Sequence, residues 1–235
     1  MVFNRVMKDF LLKFLKILKW AAIFFVALSI FSVVLFRFIN PPITPLMIIR
    51  YFEHDSKQGK RKFEKKWVDI KHISSNMILA AVAAEDNKFP DHFGIDWEAI
   101  QKAREMNKYS KLKHGASTIT QQTAKNLFLT PSRNYLRKGL EVYFTFLLEI
   151  FWSKKRIIEV YLNIVELGDG IYGVESASNI YYHKPALRLN RSEAAMLAAT
   201  LPSPLRRNPA RPNAYMYYYQ NRVLNLMNQI GKVDL

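Results

Sequence analysis

Glu85 ends an uninterrupted apolar run, "MILAAVAA" (77–84), and opens a stretch dense in ionisable groups, "AEDNKFPDHFGID" (84–96). A helix that is apolar on every side is buried. A carboxylate at its end is partly desolvated, which raises a carboxyl pKa and suits it to take or give a proton. Solvation of the helix end by Glu85 and Asp86 explains the pattern poorly, because acids are unfavourable at the negative end of the helix dipole. His92 and Asp96 lie just behind. None of His54, His72, His92, His114 and His183 has metal-ligand spacing, and His92 reads as a local hydrogen-bonding residue.

Two further stretches carry chemistry. In "GASTITQQTAKNLFL" (115–129), Ser117, Gln121 and Lys125 stand at i, i+4 and i+8, on one helix face, with Gln122 beside them. Hydroxyl, amide and ammonium in a row can bind a polyol or a phosphate; an ordinary polar outer face is the alternative. In "PSRNYLRKGLE" (131–141), Arg133, Arg137 and Glu141 repeat that spacing, with Lys138 on the flank. At 100° per residue, all four fall within an arc of roughly 140°. A solvated ladder of ion pairs has this pattern too. The apolar "VYFTFLLEIFW" that follows favours an anion site leading into a buried helix. Ser110-Lys111-Leu112-Lys113 matches S-x-x-K, but no K-T-G follows and the match is treated as chance.

The chain around these groups has 235 residues, half of them hydrophobic and 14% aromatic, enough for one substantial domain with an appendage. Cysteine is absent, which excludes disulfides and thiolate metal sites. Net charge is +16, which points to an anionic partner. Trp20–Phe36 is a run of 17 residues without a charge, short for a membrane span unless the lysines before it snorkel. Arg5, Lys8, Lys13, Lys16 and Lys19 precede it, so the positive-inside rule leaves the N-terminus cytoplasmic and the rest of the chain across the membrane. A cleaved signal peptide is the competing reading, but no small-x-small site follows the run. The remainder is still +11, and beside a bilayer it meets lipid phosphates rather than nucleic acid. The expected division is a basic N-terminus at 1–19, a transmembrane helix at 20–39, a linker at 40–72 and a domain at 73–235.

The elements that must position the candidate groups read as helices. Ser74, Ser75 or Asn76 starts the one ending at Glu85, which Pro90 closes, and Asp96 starts "WEAIQKAREM". A loop is expected over 106–116. Ser117 or Thr118 starts a helix to about Leu127. Thr130-Pro131 is expected to open a long helix to about Trp152, and Ser153 the next. Gly168, Gly170 and Gly173 break the chain. Helices over 173–183 and 192–200, the second begun by Ser192, and an aromatic amphipathic tail over 213–230 follow. No strand alternation is visible, and the domain reads as mainly α.

"EDNKFPDHFGID", "GASTITQQTAKNLFL", "RKGLE", "SKKRIIEVYLN" and "GIYGVESASNIYYHK", in this order, resemble the five signature blocks of the peptidoglycan glycosyltransferases, which polymerise lipid II. The resemblance spans about 75–205; "RIIE" stands where many relatives have Ile-Leu-Glu. It is closest to the family's monofunctional biosynthetic form, since no transpeptidase domain is visible. It implies a lysozyme-like helical fold, with head and jaw lobes around a long cleft and the jaw at 99–114. It implies Glu85 as catalytic base and Glu141 as a second essential glutamate. Lys125, Arg133, Arg137 and Lys138 would face the donor pyrophosphate, with Ser117, Gln121 and Gln122 in the cleft lining. Glu159, Tyr161 and Asn163 are expected to be structural. No metal cage is visible, although a divalent cation, magnesium or manganese, at the pyrophosphate is compatible with the family. The implied partners are lipid II, the growing glycan, membrane lipids and cell-wall synthesis or division proteins. The implied location is the inner membrane, with the domain on its periplasmic face. A lytic enzyme on the same fold explains Glu85 but not the cations. A basic non-enzymatic scaffold explains the charge but not Glu85.

Overall fold

The uncharged run and the basic stretch before it form one continuous helix in the computed structural model, which describes residues 2–55, 63–110, 115–132 and 134–235. This helix, α1 (Val2–Phe38), belongs to a unit spanning Met1–Ile39; Asn40–Leu235 is a second compact unit. α1 is long and apolar enough over Met7–Phe38 to cross a membrane.

The second unit opens with α2 (Pro45–Asp55) and a short strand, β1 (Glu64–Lys65). The described parts of 40–72, expected from their charge and prolines to be a linker, belong to this second unit. Residues 66–70 are joined to the rest of the unit by part-buried backbone-to-side-chain hydrogen bonds. Val68 N donates to Asn163 Oδ1 at 2.9 Å, and Asn163 Nδ2 returns a bond to Val68 O at 2.9 Å. Ile70 N donates to Glu159 Oε1 at 2.9 Å and Lys66 N to Ser176 Oγ at 2.8 Å. Polar composition misleads here because the packing is made by the backbone, which composition does not report.

α3 (Ser75–Glu85) starts with Ser74 as its cap and is buried nearly all round, as its composition requires. Asp96 caps α4 (Trp97–Tyr109), which runs further than expected, into the anticipated loop. Thr118 caps α5 (Ile119–Phe128). α6 (Tyr135–Phe151) begins later than Thr130-Pro131 suggested. Asn134 takes the cap by accepting from Arg137 N, while Thr130 Oγ1 pairs with Ser132 Oγ. Arg133 comes before the first residue of α6 in the chain. It lies outside the described residues, as do Lys111–His114 and the core of the charged connector, 56–62.

Ser153 caps α7 (Lys154–Ile164), which leads to β2 (Glu166–Gly168), β3 (Ile171–Tyr172) and α8 (Val174–Tyr182). β3 pairs parallel to β1 and antiparallel to β2, a small sheet whose strands are too short to show alternation in sequence. α9 (Arg191–Ala198) is capped by Asn190 rather than Ser192, because Asn190 and Glu193 form a reciprocal capping box. α10 (Ala214–Ile230) closes the unit. The architecture is mainly α. α3 packs on α9 and α10, and α5 packs on α6, α7 and α2. α5 lies at the centre, with Ile119, Thr120, Thr123 and Ala124 fully buried.

Candidate active site

The end of α3 meets the start of α5 through Asp86. Its carboxylate accepts from Ile119 N, at the first turn of α5, at 2.9 Å, and lies 2.9 Å from His92 Nε2. This satisfies an N–H that a helix start leaves unpaired and places an acid at the favourable end of the α5 dipole. His92 is thereby a local partner, and its carbonyl accepts from Lys154 Nζ at 2.5 Å. Lys154 also binds Glu149 and lies over the ring of the fully buried Phe89. Thr118 Oγ1 donates to Gly94 O at 2.6 Å. The Phe-Pro-x-His-x-Gly-x-Asp turn is a brace that locks α3, α5, α6 and α7 together.

Locking α5 against α3 brings Gln122 to Glu85: Gln122 Nε2 donates to Glu85 Oε2 at 2.6 Å. Gln122 Oε1 accepts in turn from Tyr161 Oη at 3.4 Å. Tyr161 is fully buried. Burial pushes the Glu85 carboxyl up; the Gln122 N–H and the Lys125 charge oppose the rise, and Asp86 adds to it. Gln121 goes elsewhere. Its Oε1 accepts from Thr118 N at 3.0 Å to complete the α5 capping box, and the residue is buried in the cap instead of facing a cavity.

α6 supplies the cations. Arg137 and Lys138 each bind one oxygen of Glu141, whose side chain is 3% exposed. Lys138 Nζ also lies 3.5 Å from Ser117 Oγ. The first turn of α6 holds no acid, so its cations sit against the positive end of the helix dipole. Stability alone disfavours that arrangement; an anion bound there reverses it. Lys125, on α5, is pushed down by burial while Glu141 and Glu85 both pull it back up, so its ammonium connects the two glutamates electrostatically.

Two cavities flank this network. One, about 270 Å³, is lined by Glu85, Asp86, Ser117, Thr118, Tyr219 and Arg222. The other, about 410 Å³, is lined by Arg50, Gln122, Lys125, Asn126, Arg137 and Glu166, among others. Through its bond to Glu85, Gln122 joins the carboxylate of the first to the cations of the second. A carboxylate able to take a proton thus stands next to a basic pocket able to hold a leaving anion. Sequence reasoning missed Arg50, Glu166, Tyr219 and Arg222, which come from segments read as linker, break and tail. Tyr219 and Arg222 had one signal, the aromatic amphipathic tail over 213–230.

A family model described as transglycosylase matches residues 53–228. A protein of Bacteroides thetaiotaomicron, described as a biosynthetic peptidoglycan transglycosylase, is 46% identical over 220 residues, 92% of this chain and 89% of its own length. Proteins with the same description from Bdellovibrio bacteriovorus and Caulobacter vibrioides are each 48% identical. They align over 89% and 81% of this chain, and over 83% and 81% of their own lengths.

Proposed function

This chain belongs to the transglycosylase family, and from that premise we propose that it polymerises lipid II into the β-1,4-linked glycan of peptidoglycan, releasing undecaprenyl pyrophosphate. Its outer domain has the lysozyme-like helical fold of that family. The observation that carries the assignment of roles is the Glu85–Gln122 bond, which ties a raised carboxyl near Lys125 to the cavity that Gln122 lines with Lys125 and Arg137.

In the proposed reaction, the Glu85 carboxylate takes the proton of the acceptor sugar's 4-hydroxyl. The hydroxyl oxygen then bonds to the donor's anomeric carbon while the bond from that carbon to the pyrophosphate oxygen breaks, with inversion. Gln122 orients Glu85. Lys125, Arg137 and Lys138, with Arg133 assigned from sequence, stabilise the charge that grows on the leaving pyrophosphate. Glu141 acts by holding Arg137 and Lys138 in place, and Ser117 joins Lys138 at the cavity edge.

The donor set does not fit a resident divalent cation. Both Glu141 oxygens are taken by cations, and no group of three or more His, Asp or Glu among the described residues gathers as a metal site. A magnesium or manganese ion arriving on the pyrophosphate belongs to the substrate, and no step here runs through it. We further infer that α1 holds the domain at the outer face of the cytoplasmic membrane, since its lysines precede the apolar run. Exposed Phe93, Trp97, Tyr109 and Ile150 give the domain an apolar surface suited to lipid. Cell-wall synthesis or division proteins are proposed partners.

Glu85→Gln keeps shape and removes basicity. It is expected to lower polymerisation of lipid II by about 10²-fold or more with folding intact by circular dichroism. Near wild-type turnover in the folded variant removes Glu85 as the base.

A further inference from the structure

The larger cavity has one wall to which the reaction above assigns no part: Arg50, from α2, and Glu166, from β2. Arg50 Nε lies 3.6 Å from Glu166 Oε2, an ion pair too long to be a hydrogen bond. The Glu166 side chain is 6% exposed. Its Oε1, Arg50 Nε and Arg137 Nε are buried with no hydrogen-bond partner among the described residues. A buried polar atom left unpaired costs about 1–3 kcal/mol. Two of these three are N–H donors, on arginines that line one cavity with Glu166, and a ligand that accepts hydrogen bonds would pair both. Arg50, Lys125 and Arg137 outweigh the single carboxylate, so that ligand is an anion.

We propose that Arg50 is a further phosphate-binding residue of the donor site, held ready by Glu166 and taken over by a pyrophosphate oxygen when the donor binds. The inference rests on reading this cavity as the donor's pyrophosphate site. Glu166 is then a positioning residue that competes with the substrate for the guanidinium. Burial pushes its carboxyl up to about 7, with Asp169 and Glu53 adding to the rise and Arg50 opposing it. A carboxylate so near neutrality is a weaker partner for a guanidinium than an ionised phosphate, which favours the exchange. Glu53 holds Arg50 Nη1 at 2.8 Å, which keeps the guanidinium anchored to α2 while its Nε is exchanged.

The test is steady-state kinetics on lipid II for wild type, Arg50→Ala, Arg50→Lys and Glu166→Gln, with thermal melts of each and inorganic pyrophosphate as a competing inhibitor. Arg50→Ala is expected to raise the donor KM and the pyrophosphate inhibition constant by about 10-fold or more, the value of one charge-assisted bond. Arg50→Lys should recover part, since a point charge replaces a fork. Glu166→Gln removes the competing charge, so both constants should fall severalfold. A mere brace between α2 and β2 would be loosened by either change, and both variants would then weaken donor binding together. That outcome, or a wild-type KM in Arg50→Ala, overturns the inference while leaving polymerisation by the wild type standing. If Arg50→Ala fails to fold, the direction of the Glu166→Gln shift decides. Wild-type protein inert toward lipid II overturns the reading of the domain, and this inference with it.

Discussion

Glu85 is pulled in two directions. Burial raises its pKa, and the Gln122 N–H and Lys125 ammonium lower it. A base must be ionised to act, so turnover should climb with pH through an inflection displaced upward from the ordinary value of 4.5. Gln122→Ala removes the donor that favours the ionised form, and that inflection should move further up. A pH profile of kcat/KM for the two proteins checks both shifts; an unmoved inflection in Gln122→Ala denies the pair a functional role. The neighbouring glutamine shows why such a pair is hard to read in sequence. Gln121 and Gln122 have the same chemistry, but α5 starts at Ile119, which makes Gln121 the third residue of the helix and draws it into the cap. One position further on, about 100° around the helix, Gln122 faces Glu85.

The turn between α3 and α4 sets where α5 begins, and Gly94 is its tightest point. Gly94 has φ +74, and a Cβ there would stand 2.6 Å from Thr145 Cγ2 and 2.9 Å from Glu149 Cγ. Gly94→Ala therefore combines left-handed backbone strain with overpacking and is expected to cost about 2–4 kcal/mol. Gly139, exposed within α6, has open space around its missing Cβ. Gly139→Ala should stabilise by about 0.5–1 kcal/mol. Urea denaturation of the two variants measures both, and equal effects would show that the Gly94 turn is not a constraint. The start of α6 was misplaced for a related reason. Thr130-Pro131 and Asn134 both carry helix-start signals, and the choice falls to whichever side chain reaches a free backbone N–H; here Asn134 reaches Arg137.

The chain divides at Ile39 between a 37-residue helix and the domain. A bilayer core about 30 Å thick needs only about 20 residues of helix at 1.5 Å each, fewer than the 37 of α1. Because the chain has no cysteine, orientation can be read with single substitutions. In intact spheroplasts, a membrane-impermeant maleimide should label Lys232→Cys, whose native side chain is 84% exposed, and should not label Asn4→Cys. The reverse pattern places the domain in the cytoplasm, and release of the protein by high salt argues against a span.

Several features needed no coordinates. The burial of α3 follows from apolar composition on every side, the Asp96 and Ser153 caps from residue type, and a helix long and apolar enough to cross a membrane from its apolar run. The nearness of Lys125 to Glu85 was legible because long motifs carried it. Local patterns report what a segment is, and these segments are strongly patterned. What they do not report is which segment a side chain meets. The joining of Val68 and Ile70 to the domain depends on Asn163 and Glu159 accepting backbone N–H groups about 90 residues away, and pairing at that range leaves no periodic trace. The same holds for Arg50 and Glu166, which lie 116 positions apart in the chain and reach one cavity wall only because α2 packs on α5.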